Sequence, residues 1–346
     1  MPVFTADQLK NFGIEIFKAL GATEEEARIV SEFLVRSNLA GHDSHGVIRI
    51  TQYVSEIEKG RIIPRAAIEV IRETPSSALL NGNWGFGQVI GFKAMKMAIE
   101  KAKTNTVSVV CVYNCNHVGR LTDYTIMAAE NRMIGIAMVN ANKIVAPYGG
   151  MERMLSTGPL SYAFPTDKEI PFVLDIATSV CAEGKIRVSL HTAEKLPHEW
   201  IIDKNGKPSS NPSDLYEGGA ILPFGGEVGY KGFGIGLAVD VLAGILARSG
   251  PAYLKDKRGN GVFMEAINIE SFMPLEEFKR EMDGLIRVMK NSKAMLGFAE
   301  IVIPGEPEFR TEQKRLKEGI LVPEKTWNEI TEIARALRVG IEKGSN

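Results

Sequence analysis

The chain has 346 residues, 45% of them apolar and 24% charged, the proportions of a globular protein long enough for two domains or for one large α/β domain with a helical annex. Forty-one Lys and Arg against forty-two Asp and Glu leave a net charge of −1, so no basic field recruits nucleic acid. Residues 1–17 lack the basic start and continuous apolar core of a signal peptide, and the most apolar stretch, 235–247, is interrupted by Asp240 and too short to span a bilayer, so a cytoplasmic protein with no membrane partner is expected.

In chain order, Thr5 and Thr23 each precede an acidic or amide-bearing first turn and an apolar-periodic run, which predicts two helices ending near Leu20 and Leu39. The polar loop Gly41-His42-Asp43-Ser44-His45-Gly46 follows, and the spacing of apolar residues from Val47 to Lys59 predicts a third helix. From Ala67 short β-branched runs alternate with helical stretches. Strands are expected at Ile68–Arg72, Ser77–Leu80, Val107–Val112, Ile134–Val139 and Phe172–Leu174, with helices over 88–103 and 121–131, which together argue for an α/β sheet. Turn-rich sequence from Asp203 to Gly232 gives way to a helix of about fourteen residues from Phe233, and amphipathic helices recur beyond Pro274. The expected domains are 1–72 with 233–346, mainly helical, and 73–232, a mixed sheet. Cys111, Cys115 and Cys181 are an odd number at no metal-like spacing; they read as buried, reduced thiols, with no disulfide framework and no metal site.

Two glycine clusters invite a nucleotide reading. Gly85, Gly87 and Gly91 lie between a strand and a helix, but the next strand runs into Asn114-Cys115-Asn116-His117 with no acidic residue to hold a ribose, so turn formation and helix packing are the better account. Lys231-Gly232-Phe233-Gly234-Ile235-Gly236 opens a helix beside a cation and is a phosphate-binding candidate.

Of five histidines, His42, His45 and His117 sit in polar, glycine-flanked loops. Arg49 and Tyr53, one turn apart, share a helix face directed toward the Ser44-His45 loop, so a cation, a phenol and an imidazole can line one pocket wall. His117, between a buried strand and a helix, stands where α/β sheets place active-site groups and titrates in the range a general base needs; the alternative is a helix cap.

Several segments together resemble one family: Asp43-Ser44-His45-Gly46 with Arg49 and Tyr53, Asn116-His117-Val118-Gly119, Val145-Ala146-Pro147-Tyr148-Gly149-Gly150, Gly158-Pro159-Leu160-Ser161-Tyr162-Ala163-Phe164-Pro165, Leu174-Asp175-Ile176-Ala177-Thr178-Ser179 with Gly184-Lys185, Gly229-Tyr230-Lys231-Gly232 and Pro304-Gly305-Glu306-Pro307. They are similar to the malate/L-lactate dehydrogenase superfamily of the non-Rossmann type, which includes ureidoglycolate and sulfolactate dehydrogenases and an imine reductase. The resemblance implies an α/β fold with a non-Rossmann mixed-sheet NAD(P)-binding domain, a helical domain built from both chain ends, and a homodimer. It implies hydride transfer between NAD or NADP and C2 of a small 2-hydroxy acid, with malate favoured and cyclic imino acid reduction or another oxo acid as alternatives. A non-catalytic nucleotide-sensing role is the rival of another class. By motif, His117 becomes the proton acceptor with Ser44 and His45 beside it, while Arg49 and Tyr53 take the substrate. Asn140, Asp175, Ile176, Ala177, Lys231, Gly232, Gly305, Glu306 and Pro307 take the cofactor. Lys185, Arg187 and His191, which follow the Asp175 strand, are either a cation source for a 2′-phosphate or surface charges. Where many members read GTNPL, this chain has Ser156-Thr157-Gly158-Pro159-Leu160, so the asparagine side chain is missing.

Overall fold

The computed structural model describes residues 2–340, apart from the side chain of His191. A short strand β1 (Val3–Phe4) leads into helices α1 (Ala6–Ala19) and α2 (Glu24–Leu39). Both start where the sequence predicts: the Thr5 and Thr23 hydroxyls accept from the backbone N–H three residues on, and Gln8 and Glu26 reach back to the cap N–H. A 3-10 turn at Asp43–His45 precedes α3 (Arg49–Glu58), so that helix begins slightly later than the periodicity suggests.

The sheet region follows as β2 (Glu69–Glu73), β3 (Ser77–Asn81), α4 (Gly87–Asn105), β4 (Val107–Cys115), α5 (Thr122–Glu130), β5 (Met133–Asn140), β6 (Leu160–Phe164) and β7 (Phe172–Ile176). A smaller unit holds α6 (Glu183–His191), β8 (Ile201–Ile202), β9 (Pro208–Ser209), α7 (Pro212–Tyr216) and β10 (Ala220–Ile221). Then come α8 (Tyr230–Val239), which continues as a π-helical segment over Asp240–Leu246, β11 (Asn260–Asn268), α9 (Leu275–Lys290), α10 (Glu306–Glu318), β12 (Ile320–Leu321) and α11 (Glu324–Ala336).

Seven strands pair in the order β2-β3-β4-β11-β5-β6-β7. Only β3 and β4 run parallel, joined by the α4 crossover; the other neighbours are antiparallel. A doubly wound dinucleotide fold needs successive parallel strands, so the architecture is the expected non-Rossmann mixed sheet. One expectation needs correction: segment 233–346, taken as mainly helical, contributes β11, the central strand of this sheet. Its residues are buried on both faces, which removes the period-2 signature of a half-exposed strand. The last residues of that expected unit, 341–346, lie outside the described residues.

Alternation along β4 and β11 divides the core. Val110, Val112, Val262 and Met264 face Met95 and Ala98 of α4, in a cluster that continues to Phe17, Leu34, Tyr53 and Ile330 of the terminal helices. Cys111 and Phe263 face the opposite way, onto Val239, Ala243 and Ala247. The chain ends meet where Val3 pairs with Leu321 and the Phe4 and Trp327 rings lie 4.2 Å apart. All three cysteines are buried free thiols, and burial pushes Cys111 and Cys181 up to about 11, so they stay protonated. No helix among the described residues is long and apolar enough to cross a membrane.

Candidate active site

The site forms where the loop after α2, the first turns of α3 and the loop after β4 converge. Asn38, near the end of α2, fixes the first loop: its Nδ2 donates to Asp43 at 2.6 Å and its Oδ1 accepts from the Val47 N–H at 2.8 Å. Arg315 of α10 clamps the same Asp43 at 2.6 and 3.0 Å. Neither residue carries a motif signal, and sequence reasoning missed both.

The turn so held presents Ser44 and His45, with the Ser44 Oγ 3.1 Å from His45 Nδ1. Arg49 is bound to this turn, its Nε donating to the Ser44 carbonyl at 2.7 Å and its Nη1 to Gln52 at 2.6 Å. One helical turn on, the Tyr53 hydroxyl lies 2.7 Å from His117 Nδ1. The His45 and His117 rings stack with centroids 5.5 Å apart. The expected constellation of Ser44, His45, Arg49, Tyr53 and His117 is therefore one cluster. Tyr53 differs from expectation, because it is fully buried and its hydroxyl is engaged by His117 and by Gln88, which donates to it at 2.6 Å. The Tyr53 hydroxyl is thus held against the imidazole.

The His117 loop is anchored on both sides. Asn116 Nδ2 donates to the carbonyls of Arg61, Trp84 and Gly85 at 2.7–3.1 Å, and the Val118 N–H donates to Asn260 Oδ1 at 3.1 Å. Gly87 lets α4 approach: a Cβ there would lie 2.2 Å from the His117 carbonyl oxygen. This close approach is the packing role expected for the first glycine cluster. Burial, with Arg49 and His45 alongside, holds His117 well below the ordinary imidazole range. Burial and then Arg49 bring His45 down to about 4, while burial pushes Tyr53 up to about 12.

Two cavities flank this cluster. One of about 330 Å³ is lined by Ser44, Arg49, Gln52, Arg187 and Val188, with the stretch from Leu321 to Pro323 opposite. Arg187 is held two-pronged by Glu183 at 3.1 and 2.7 Å, and α6 rests against the Ser44 turn, where a Cβ on Gly184 would lie 3.2 Å from Ser44 Cβ. The other cavity, about 560 Å³, is lined by Arg36, His42, Arg120, Thr122, Asp175, Ile176, Gly305, Pro307, Glu308 and Glu312 among others. Asp175 accepts from the Thr122 N–H and hydroxyl at 2.8 and 2.9 Å, and burial raises its carboxyl above the usual range. Buried Asp123 holds Arg120 at 2.8 Å and Arg36 at 3.4 Å.

Of the nine residues carried over for the cofactor, Asp175, Ile176, Gly305 and Pro307 line this larger cavity; Asn140, Ala177, Lys231, Gly232 and Glu306 do not. Asn140 is fully buried and bound to Asp240, the Gly250 carbonyl and the Gly261 N–H, so its side chain is occupied within the core. Glu306 accepts from the Ile303 N–H and pairs with Lys290 and Arg310. On α8 a Cβ at Gly232 would lie 2.4 Å from the Phe224 carbonyl oxygen, and Lys231 is exposed. Size and chemistry of the larger cavity fit a nucleotide: an apolar floor, a carboxylate for ribose hydroxyls and two arginines for phosphates.

The model of the malate/L-lactate dehydrogenase family matches residues 4–331, and the chain belongs to that family. Malate dehydrogenase of Pyrococcus abyssi is 45% identical over 347 residues, covering 97% of this chain and 94% of the relative. L-Sulfolactate dehydrogenase of Methanocaldococcus jannaschii is 40% identical, covering 96% of each. The solved structure of malate dehydrogenase from Pyrococcus horikoshii superimposes with a TM-score of 0.90 at 41% identity, covering 98% of this chain and 96% of that one. The chain is an enzyme, a 2-hydroxy acid dehydrogenase, and the family implies a nicotinamide cofactor.

Proposed function

We propose that the enzyme interconverts (S)-malate and oxaloacetate with NAD, His117 accepting the C2 hydroxyl proton during oxidation. A bound nicotinamide would supply the hydride acceptor for C2. The chain's own residues do the rest. His117 is neutral at neutral pH because burial and Arg49 disfavour its cation, so one ring nitrogen keeps a lone pair with which to accept the proton. Tyr53 fixes the ring through Nδ1, which leaves Nε2 as the nitrogen for the substrate proton. Arg49, pinned by Ser44 and Gln52, offers a guanidinium to the C1 carboxylate, and the stacked His45 excludes water from one face of His117.

The observation that carries the choice of a dicarboxylate is the second cation. A lactate-type substrate needs one, whereas Arg187 lines the same cavity as Arg49 and can take a distal carboxylate or sulfonate. Lys143 and Arg153 line neither cavity and Arg120 lines the larger one, so none of them shares the cavity of Arg49.

NAD is favoured over NADP by the larger cavity, where Glu130, Asp175, Glu308 and Glu312 outnumber the available cations and disfavour a 2′-phosphate. Self-association into a homodimer is supported by the exposed apolar residues Leu285, Val288 and Met289 on α9 with Met295, Leu296 and Phe298 just beyond. The free thiols suit a reducing, cytoplasmic compartment.

The test follows absorbance at 340 nm with NAD and NADP separately, against (S)-malate, L-lactate, L-sulfolactate, ureidoglycolate and a cyclic imino acid. Malate oxidation with NAD, reduced about 10²–10⁴-fold in kcat by His117→Ala with cofactor binding retained, is the expected result. Turnover confined to the imino acid, or full activity in the variant, overturns the reading.

A further inference from the structure

Gln88 stands in the first turn of α4, is 1% exposed, and has no part in the chemistry above. Its Nε2 donates to the Tyr53 hydroxyl at 2.6 Å, and its Oε1, equally buried, has no hydrogen-bond partner among the described residues. Tyr53 in turn lies 2.7 Å from His117 Nδ1. The three side chains make a buried polar relay that ends on the base, with one acceptor left over. Unpaired buried acceptors are uncommon and costly in low-dielectric surroundings, and this one sits two groups away from the reacting proton.

The two ends of a carboxamide have nearly the same shape, so a half turn about its last torsion exchanges oxygen for nitrogen without displacing a neighbour. The two settings have opposite consequences for His117. With Nε2 toward Tyr53, the phenol oxygen accepts from Gln88 and its O–H donates to Nδ1, so the neutral imidazole carries its proton on Nε2. With Oε1 toward Tyr53, the phenol donates to Gln88 and its oxygen accepts from an Nδ1–H, so Nε2 keeps its lone pair. Both forms hold one imidazole proton and one phenol proton, so neither charge nor proton count changes between them. Only the second can take a proton from a C2 hydroxyl. The same second form persists after the transfer, because the imidazolium still donates from Nδ1 to Tyr53.

We propose that Gln88 is a positioning residue that selects the tautomer of His117 through Tyr53, its amide oxygen facing the phenol in the basic form and its amide nitrogen in the idle form. This rests on the reading of His117 as proton acceptor. The arrangement explains why a fully buried glutamine, rather than a leucine of similar volume, occupies the start of α4. It also explains why Tyr53 is withheld from the substrate side of the pocket.

The experiment uses the full chain with Gln88→Leu, Gln88→Glu and Tyr53→Phe, and the Leu and Phe changes combined. Leucine leaves the Tyr53 O–H to donate to Nδ1 and traps the idle tautomer, so kcat for hydroxy acid oxidation falls at least about tenfold while KM stays within about twofold. Ionised glutamate only accepts, so Gln88→Glu recovers most of that loss. In the Tyr53→Phe background the leucine change has little further effect, since the relay is already cut. Additive losses, with glutamate no better than leucine, indicate a packing role and overturn the proposal. A second readout is independent of turnover. With ¹⁵N-labelled histidine, the His117 ring shifts report Nδ1–H in Gln88→Glu and Nε2–H in Gln88→Leu; one tautomer in both sinks the proposal. Should the leucine variant fail to fold, Gln88→Met takes its place. Full activity in His117→Ala removes the base assignment alone, and the ring shifts still decide whether Gln88 governs the tautomer.

Discussion

Tyr53 and His117, on α3 and on the loop after β4, meet at 2.7 Å, and that contact ties the helical chain ends to the sheet at the candidate site. Arg49 lies one turn before Tyr53, so a single helix face supplies both the group that orients the imidazole and the cation beside it. The same cation helps keep His117 neutral.

Arg49→Lys keeps the charge and loses the planar fork. The Nε bond to the Ser44 carbonyl also goes, which loosens the turn that carries His45. KM for the hydroxy acid should rise at least about tenfold, as expected for a lost charge-assisted contact of about 1.5–3 kcal/mol, with kcat less affected. Steady-state kinetics at saturating cofactor check this; an unchanged KM takes Arg49 out of substrate binding.

Arg187→Gln separates substrates rather than abolishing activity. If Arg187 reads the distal anion, kcat/KM for (S)-malate falls by about tenfold or more while the value for L-lactate holds or rises, because lactate has no distal group to lose. Glu183 loses its two-pronged partner but keeps the Tyr216 hydroxyl at 2.7 Å, so α6 remains tethered. Equal losses on both substrates mean that Arg187 is structural.

Acid sensitivity follows from the two imidazoles. In the unfolded chain each takes a proton near its ordinary value of about 6.5, whereas in the folded protein His45 does so near 4 and His117 lower than usual. The unfolded state therefore binds more protons below that ordinary value, and stability is fully present above it and declines as pH falls toward 4. The slope is at most about 1.4 kcal/mol per pH unit for each group. Urea midpoints at pH 7 and pH 5, taken at one protein concentration, should fall less for His45→Gln than for the parent. Parallel falls contradict the assignment.

Much of this was legible in the sequence because the signals were local. Thr5 and Thr23 mark helix starts through bonds that span three residues, and β4 is legible as a β-branched run from Val107. His45 and His117 stand out because polar, glycine-flanked loops leave few packing reasons for them, and Arg49 because its helix face is directed toward one of those loops. What was hidden is long-range. β11 is buried on both faces, so its nine residues show neither strand nor helix period, and its place between β4 and β5 depends on partners more than a hundred positions away. Gln88 acts through one side-chain bond and Asn38 through two, and no spacing announces them. Asn140 shows the converse: its motif position suggested a ligand contact, and only the structure reveals a buried side chain bonded within the core.

Asn140→Ala distinguishes those two roles. The side chain accepts from the Gly261 N–H at 3.0 Å and donates to Asp240 at 3.0 Å and to the Gly250 carbonyl at 2.8 Å, and it lies outside the larger cavity. Removing it leaves a buried backbone donor and a buried carboxylate oxygen short of partners, at a cost of about 1–3 kcal/mol for each unsatisfied group. Asp240 keeps the Ala252 N–H, which limits the damage on that side. The effect should also reach the active loop, because Asn260 donates to the Asn140 carbonyl while accepting from Val118 beside His117. Tm should therefore drop by several degrees and kcat should decline, whereas the Kd for NADH in the folded enzyme should stay within about twofold. A large rise in that Kd with Tm unchanged would return Asn140 to the cofactor.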